Sequence, residues 1–149
     1  MILENLKNLE KLINSELSSK IKNSSITFDE LLVEINESDL LDVIQFLKTN
    51  DTCKFRQLID IAGVDYPDDE KRFQLVYLFL SHEKNTRIKV FFKFKPDQNI
   101  NSITKIFPSA NWMEREVFDM YGVKFKNHPD LRRILTDYGF KGHPLRKDF

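Results

Sequence analysis

FQLVYLFLSHEKNTRIKVFFKF, residues 73–94, decides the fold. From Phe73 to Leu80 the run is apolar on both faces, as expected of a central strand covered above and below. Glu83-Lys84-Asn85-Thr86 then supplies a turn. Beyond it Ile88, Val90, Phe92 and Phe94 alternate with Arg87, Lys89, Lys93 and Lys95, the period-two pattern of a strand with one wet face. Phe91 breaks that alternation and marks either an edge contact or part of an interface. The spacing predicts an antiparallel hairpin, stopped by Pro96.

Upstream, Phe55 to Val64 reads as a further strand, ended by Asp65-Tyr66-Pro67-Asp68-Asp69. Ser38-Asp39 opens a helix with Leu40, Val43, Ile44 and Leu47 on one face. Ile26 to Ile35 is β-prone around Asp29-Glu30, with Leu31, Val33 and Ile35 alternating. Ile2 to Lys22 reads as an amphipathic helix carrying Leu6, Leu9 and Ile13, broken by Asn23-Ser24-Ser25. Downstream, Ile103 to Phe107 is a short helical turn, and 112–121 is a last helix. The order predicts an α+β fold: N-terminal helices, a central mixed or antiparallel sheet containing the 73–94 hairpin, a C-terminal helix and an extended tail. A single domain is expected at 149 residues, with a core over 1–125 and a partner-binding tail over 126–149.

Lys and Arg equal Asp and Glu at 23 each, so no global field points to nucleic acid or an anionic membrane. The acidic excess lies in residues 1–50 and the basic excess in 51–149. Cys53 is the single cysteine, which excludes an internal disulfide, a CxxC pair and a cysteine-ligated cluster. His82, His128 and His143 lack ligand spacing, so no metal residue is proposed. The longest apolar run, Leu75 to Leu80, is too short to span a bilayer, and Glu4 and Glu10 are unlike a signal peptide. These features predict a soluble protein that stays in the compartment where it is made.

The distinctive residues lie in 112–149. Asn111 with Glu114 three residues on fits a capping box, and Gly122 sits where a glycine ends a helix. At 100° per residue, Met113, Val117, Phe118, Met120 and Tyr121 share one arc. Arg115, Glu116 and Asp119 share the other, and Arg115 can pair with Asp119. Glu114 falls inside the apolar arc, either as the capping partner or as a buried carboxylate needing a donor such as an Arg. Trp112 falls inside the charged arc, either folded back under Pro108 or exposed as an interface anchor.

Lys126-Asn127-His128-Pro129-Asp130-Leu131-Arg132-Arg133 is then echoed by Lys141-Gly142-His143-Pro144-Leu145-Arg146-Lys147. Proline pushes each preceding His towards extended backbone. Such a tail, with Tyr138, Phe140 and Phe149 among its basic residues, cannot bury itself well alone, and it reads equally as a solvated, poorly ordered terminus and as a segment made for a groove on a partner. Arg132, Arg133 and Arg146 would there meet partner carboxylates. Catalytic readings are poor: each tail His is locked beside a proline, no nucleophile is apparent, and neither GxGxxG nor GxxxxGK[ST] occurs. The basic-aromatic tail also leaves open a single-stranded nucleic-acid-binding module, although Asp130, Asp137 and Asp148 interrupt its charge.

Glu114-Arg115-Glu116, Asp119-Met120-Tyr121-Gly122, the stretch from His128 to Phe140 (HPDLRRILTDYGF) and that from Gly142 to Phe149 (GHPLRKDF) resemble the signature of the 30-kDa-type subunit of respiratory complex I. Phe55–Pro67 and the hairpin match more loosely, so the resemblance covers nearly the whole chain. Many members continue with a C-terminal extension beyond the position of Phe149.

The resemblance implies a non-catalytic structural subunit of the hydrophilic arm of a proton-translocating NADH–quinone oxidoreductase. It implies no cofactor in this chain, with FMN and iron–sulfur clusters in neighbouring subunits. It also implies packing against the larger subunit that helps form the quinone site, with membrane contact only through the complex. The expected location is the cytoplasmic side of a bacterial inner membrane, or the matrix side if the gene is organellar. The equivalent subunit of a related membrane-bound hydrogenase is the alternative within this class. Helix residues Trp112, Glu114, Arg115 and Glu116 are the first part of the candidate partner interface. Tail residues His128, Asp130, Arg132, Arg133, Asp137, Tyr138, Phe140, His143, Arg146 and Lys147 are the second. No nucleic-acid partner is implied.

Overall fold

The computed structural model describes residues 2–133 and 141–147. Helix α1, Ile2–Glu16, opens the chain and buries Leu6, Leu9 and Ile13 at helical spacing. It ends six residues before the expected Lys22. Leu17 still bonds back to the Ile13 carbonyl at 2.9 Å, but the chain then turns, and Ile21–Thr27 forms strand β1. This corrects the expectation of a helix broken at Asn23-Ser24-Ser25. β1 carries too few apolar residues to show a pattern. Its strand conformation comes from the backbone ladder to β2, Glu30–Ile35, where Ser24 faces Val33 and Ile26 faces Leu31. The hairpin closes through Phe28 and Asp29, both at positive φ (51° and 62°), as a two-residue turn between twisted antiparallel strands requires.

In β2, Leu31, Val33 and Ile35 are buried as their alternation predicts. A 3-10 turn over Glu37–Asp39 leads into helix α2, Leu40–Thr49, which buries the expected Leu40, Val43, Ile44 and Leu47. Each such burial contributes roughly 2 kcal/mol. Strand β3 runs Gln57–Asp65, so Phe55 is buried outside the strand and Asp65 lies within it. Strands β4, Phe73–Ser81, and β5, Thr86–Phe94, form the expected hairpin. After them come strand β6, Ile100–Asn101, helix α3, Ala110–Tyr121, and strand β7, Phe125–Lys126.

The five-stranded sheet has the order β1-β2-β5-β4-β3. β2 pairs parallel with β5, Leu31 opposite Ile88 and Val33 opposite Val90, which makes the sheet mixed within an α+β fold. β4 lies between two strands, as predicted. It is not covered equally on its two faces, however: Phe73, Leu75, Tyr77 and Phe79 are buried, while Val76, Leu78 and Leu80 are half-buried. β6 and β7 make a separate parallel pair.

The chain divides into two compact units. The first is Met1–Asp60 with Val76–Phe92, where Tyr77 stacks on Phe92 at 6.1 Å. The second is Ile61–Leu75 with Lys93–Phe149, with Phe73 against Phe94 at 6.0 Å and Ile100, Ile103, Val117, Val123 and Phe125 buried. The described residues of the 126–149 segment are thus part of the second unit.

Candidate functional site

Helix α3 organises the second unit. Ser109 is its N-cap and makes no side-chain capping bond, and Asn111 lies inside the first turn. The capping-box reading of Asn111 and Glu114 is therefore corrected. Glu114 is fully buried and points at the 102–104 segment, where its Oε1 accepts from the Ser102 hydroxyl at 2.6 Å and its Oε2 from the Ile103 amide at 2.9 Å. This is the buried carboxylate with donors that its place in the apolar arc suggested, and the donors are neutral groups and not an Arg. Burial, only partly offset by these two bonds, pushes its carboxyl up to about 7. The position of Glu114 within the apolar arc is the sequence signal for this.

His128 lies 3.9 Å from Glu114 through Nε2. Its Nδ1 accepts the Asp130 amide at 3.0 Å, which places the ring proton on Nε2, donating to the Asn111 carbonyl at 3.0 Å. The second His-Pro element repeats the device. His143 donates from Nδ1 to the Asp119 carbonyl at 3.0 Å. The echo in the sequence thus becomes two imidazole clamps on α3 backbone carbonyls.

Asp119, placed above in the charged arc with Arg115 and Glu116, is fully buried. Arg133 donates through Nε to Asp119 Oδ1, and through Nη2 to the carbonyls of Asp119 at 3.1 Å and Gly142 at 2.6 Å. One guanidinium thereby joins the helix to both halves of the tail. Gly122 ends α3 at φ +80°, and a Cβ there would come within 2.7 Å of the His143 ring and 2.8 Å of Arg146. Glycine is required twice, for the left-handed turn and for the close approach of the returning chain.

A second anchor closes at the end of β3. Asp65 is buried, and Arg72 grips it bidentately, Nε to Oδ1 at 2.6 Å and Nη2 to Oδ2 at 2.7 Å. The hydrogen bond from Arg72, opposed by burial and helped by the Lys147 amide at 2.7 Å, holds the Asp65 carboxyl below its usual range. Arg146 Nε donates to the Tyr121 carbonyl at 2.5 Å, and its guanidinium lies 5.1 Å from the Phe73 ring centre. Tyr121 in turn donates its hydroxyl to the Gly63 carbonyl at 2.9 Å. None of Asp65, Arg72, Ser102 or Gly63 stands out as a candidate in the sequence. Each acts through a partner that no local pattern points to.

The tail residues expected to meet a partner are therefore largely engaged within the chain. Arg133 and Arg146 face α3, and Arg132 pairs locally with Asp130 at 3.1 Å. The tail lacks regular structure over most of its described length, as expected, yet it lies against its own helix where the sequence suggested an arm for another protein. Asp137, Tyr138 and Phe140 fall outside the described residues. The outward face of α3 is different. Trp112 is 54% exposed, which excludes a fold-back under Pro108. The Arg115 guanidinium lies 5.5 Å from its ring, and Arg115 Nε reaches the Arg132 carbonyl at 3.5 Å. Glu116 and Lys147 are exposed, and Leu145, beside the C-terminal end of α3, is 52% exposed. Cys53 is buried and its thiol pushed up to about 12, so it is a poor nucleophile or ligand. Among the described residues no helix is long and apolar enough to cross a membrane.

Comparison with known proteins bears on this arrangement. A family model described as "Respiratory-chain NADH dehydrogenase, 30 Kd subunit" matches residues 33–149. The NADH-quinone oxidoreductase C subunit of Chelativorans sp. (strain BNC1) is 48% identical over 146 residues, 98% of this chain and 73% of that protein. Its counterpart from Ruegeria pomeroyi is 55% identical over 124 residues, 83% of this chain and 62% of that protein. That from Bartonella bacilliformis is 44% identical over 149 residues, 100% of this chain and 73% of that protein. The chain thus spans 62% to 73% of the length of these relatives. A solved structure of a membrane-bound sulfane sulfur reductase, an archaeal respiratory membrane complex, contains a similar chain at TM-score 0.81 and 25% identity, covering 96% of this chain and 84% of that one.

Proposed function

The chain belongs to the family of the 30 Kd subunit of respiratory-chain NADH dehydrogenase, and on that premise we propose that it is a structural subunit of an NADH–quinone oxidoreductase with no active site of its own. It serves in the hydrophilic arm, binds neither FMN nor an iron–sulfur cluster, and packs against the larger subunit that helps form the quinone site. It meets the membrane only through the complex, on the side where that arm projects.

The division of labour around α3 carries this reading. The inward carboxylates Glu114 and Asp119 are occupied in holding the unit's own 102–104 and tail segments, while the outward face offers Trp112 with Arg115 and Glu116. A half-exposed Trp beside an Arg has the composition of an interface anchor. The single buried Cys53 and three separated histidines give little for a redox centre to bind. The likeness to a sulfane sulfur reductase chain supports a second reading in the same class, an equivalent subunit in a related respiratory complex with another electron donor or acceptor. The identity of the co-purifying neighbours separates the two.

Trp112→Ala tests the interface. Loss of such an anchor costs about 2 kcal/mol or more of binding, whereas a surface truncation changes folding stability by roughly 0.5 kcal/mol or less. The variant is expected to melt like the parent chain in isolation and to be depleted from the purified complex. A large loss of thermal stability in the isolated chain, or normal incorporation, would sink the reading.

A further inference from the structure

The two hairpins of the first unit end side by side. Because β2 and β5 run parallel with Leu31 opposite Ile88, the Phe28-Asp29 turn and the 82–85 turn leave the sheet at the same end of its strands, which forms one edge of the unit. Phe28, Asp29, Glu30, Asn85 and Arg87 together line a hollow of about 290 Å³ there.

Phe28 is 94% exposed, the largest exposure among the large apolar side chains of the described residues. It also sits at φ +51°, a backbone state that is rare for a bulky side chain and costs nothing for glycine. Both features oppose the stability of the chain alone: the ring gains nothing from folding, and the turn would close more easily with Asn-Gly. Around the ring, Glu30 is held by Lys89 at 3.1 Å, whereas Arg87 and Asp29 form no ion pair with any described residue. The edge thus combines a projecting aromatic with one charge of each sign left open to a partner, Phe28 and Asp29 in the β1–β2 turn and Arg87 at the start of β5.

We infer that this edge of the first unit is a second protein-binding surface. The Phe28 ring seats in an apolar socket of a partner protein whose rim presents a carboxylate to Arg87 and a basic or N–H donor group to Asp29. This edge belongs to the first unit and the α3 face to the second. A lipid surface suits these residues less well, because Asp29 and Glu30 flank the ring and anionic headgroups attract clusters of basic residues.

The test uses the full chain in its complex. With Cys53 buried, Phe28→Cys provides a single accessible thiol. Maleimide should label it rapidly in the isolated chain and on the order of tenfold more slowly, or less still, in the assembled complex. Equal labelling in both states overturns the inference. So does protection of the isolated chain by phosphatidylcholine/phosphatidylglycerol vesicles, which would make the surface a membrane contact, or protection that rises with the chain's own concentration, which would make it a self-association face. Phe28→Gly supplies the second arm. It should leave the thermal midpoint of the isolated chain unchanged or higher, since glycine takes positive φ without strain, while reducing incorporation into the complex. A lower midpoint, or undiminished incorporation, overturns the inference.

Discussion

Glu114 and Asp65 are both buried carboxylates of the second unit, and both help to hold segments distant in sequence. Glu114 takes its hydrogen bonds from a hydroxyl and a backbone amide, while Asp65 takes a guanidinium and a backbone amide. Burial lifts Glu114 to about 7, whereas Arg72 holds Asp65 below its ordinary 3.8. Burial alone therefore does not set the behaviour of these groups. Two things decide: how strongly the carboxylate is desolvated, which leads for Glu114 and comes second to the Arg72 bond for Asp65, and whether the donor brings an offsetting charge. Asp65 is a permanent anchor near neutral pH, and Glu114 is one whose ionisation weakens the fold that buries it.

The largest expected effect tests the permanent anchor. Asp65→Ala leaves Arg72, mostly shielded from water, without its carboxylate and frees the Lys147 amide. Removal of one partner from a buried pair costs about 4 kcal/mol, to be read from urea unfolding of the isolated chain. A loss below about 1 kcal/mol would mean the pair contributes little beyond an exposed one, and the contrast with Glu114 would collapse.

The next effect is a dependence on pH. The folded value of Glu114 lies above the ordinary 4.5, so between about 4.5 and about 7 the folded chain keeps a proton that the unfolded chain releases. Stability attributable to Glu114 therefore falls as pH rises through that window, by roughly 3 kcal/mol, and levels off above it. Asp65 has the opposite sign. Its contribution is present above the ordinary carboxylate value and is lost as pH falls through its lowered folded value. Glu114→Gln, whose amide can donate to Ser102 and accept from Ile103, should abolish the drift and exceed the parent in stability at pH 8. A parallel pH profile for parent and variant would show that Glu114 does not titrate in that window.

The smallest effect probes how closely the second anchor is packed. A Cβ at Gly63 would lie 2.6 Å from Cε2 of Tyr121, the ring that donates to the Gly63 carbonyl. Gly63→Ala should cost roughly 2 kcal/mol through displaced packing, read from the thermal midpoint. A neutral substitution would show the Tyr121 ring to be free to move aside.

Legibility in the sequence follows the reach of the forces involved. The 73–94 hairpin, the α2 face and the Gly122 stop are readable because periodicity and backbone conformation are local properties. β1 reads as a helix end at Ile21-Lys22 followed by a break at Asn23-Ser24-Ser25, because a polar strand is held by its neighbour's backbone and leaves no side-chain rhythm. At the site, Glu114 betrays its burial by falling in the apolar arc, and Trp112 its exposure by falling in the charged one. Asp119 gives no such sign, because its burial depends on Arg133, fourteen residues on. The His-Pro echo is visible as a repeat. That both copies grip the same helix follows only from the folded chain.

The hydrogen bond from the Lys147 amide to Asp65 joins residues 82 apart. Considered as an event in time, closing a loop of that length costs about 4 kcal/mol of chain entropy. A hydrogen bond returns about 1 kcal/mol net. The contact cannot assemble the unit by its own strength. It must wait until β3, α3 and the returning segment have already met, which makes it a late seal on the fold and not one of its nuclei.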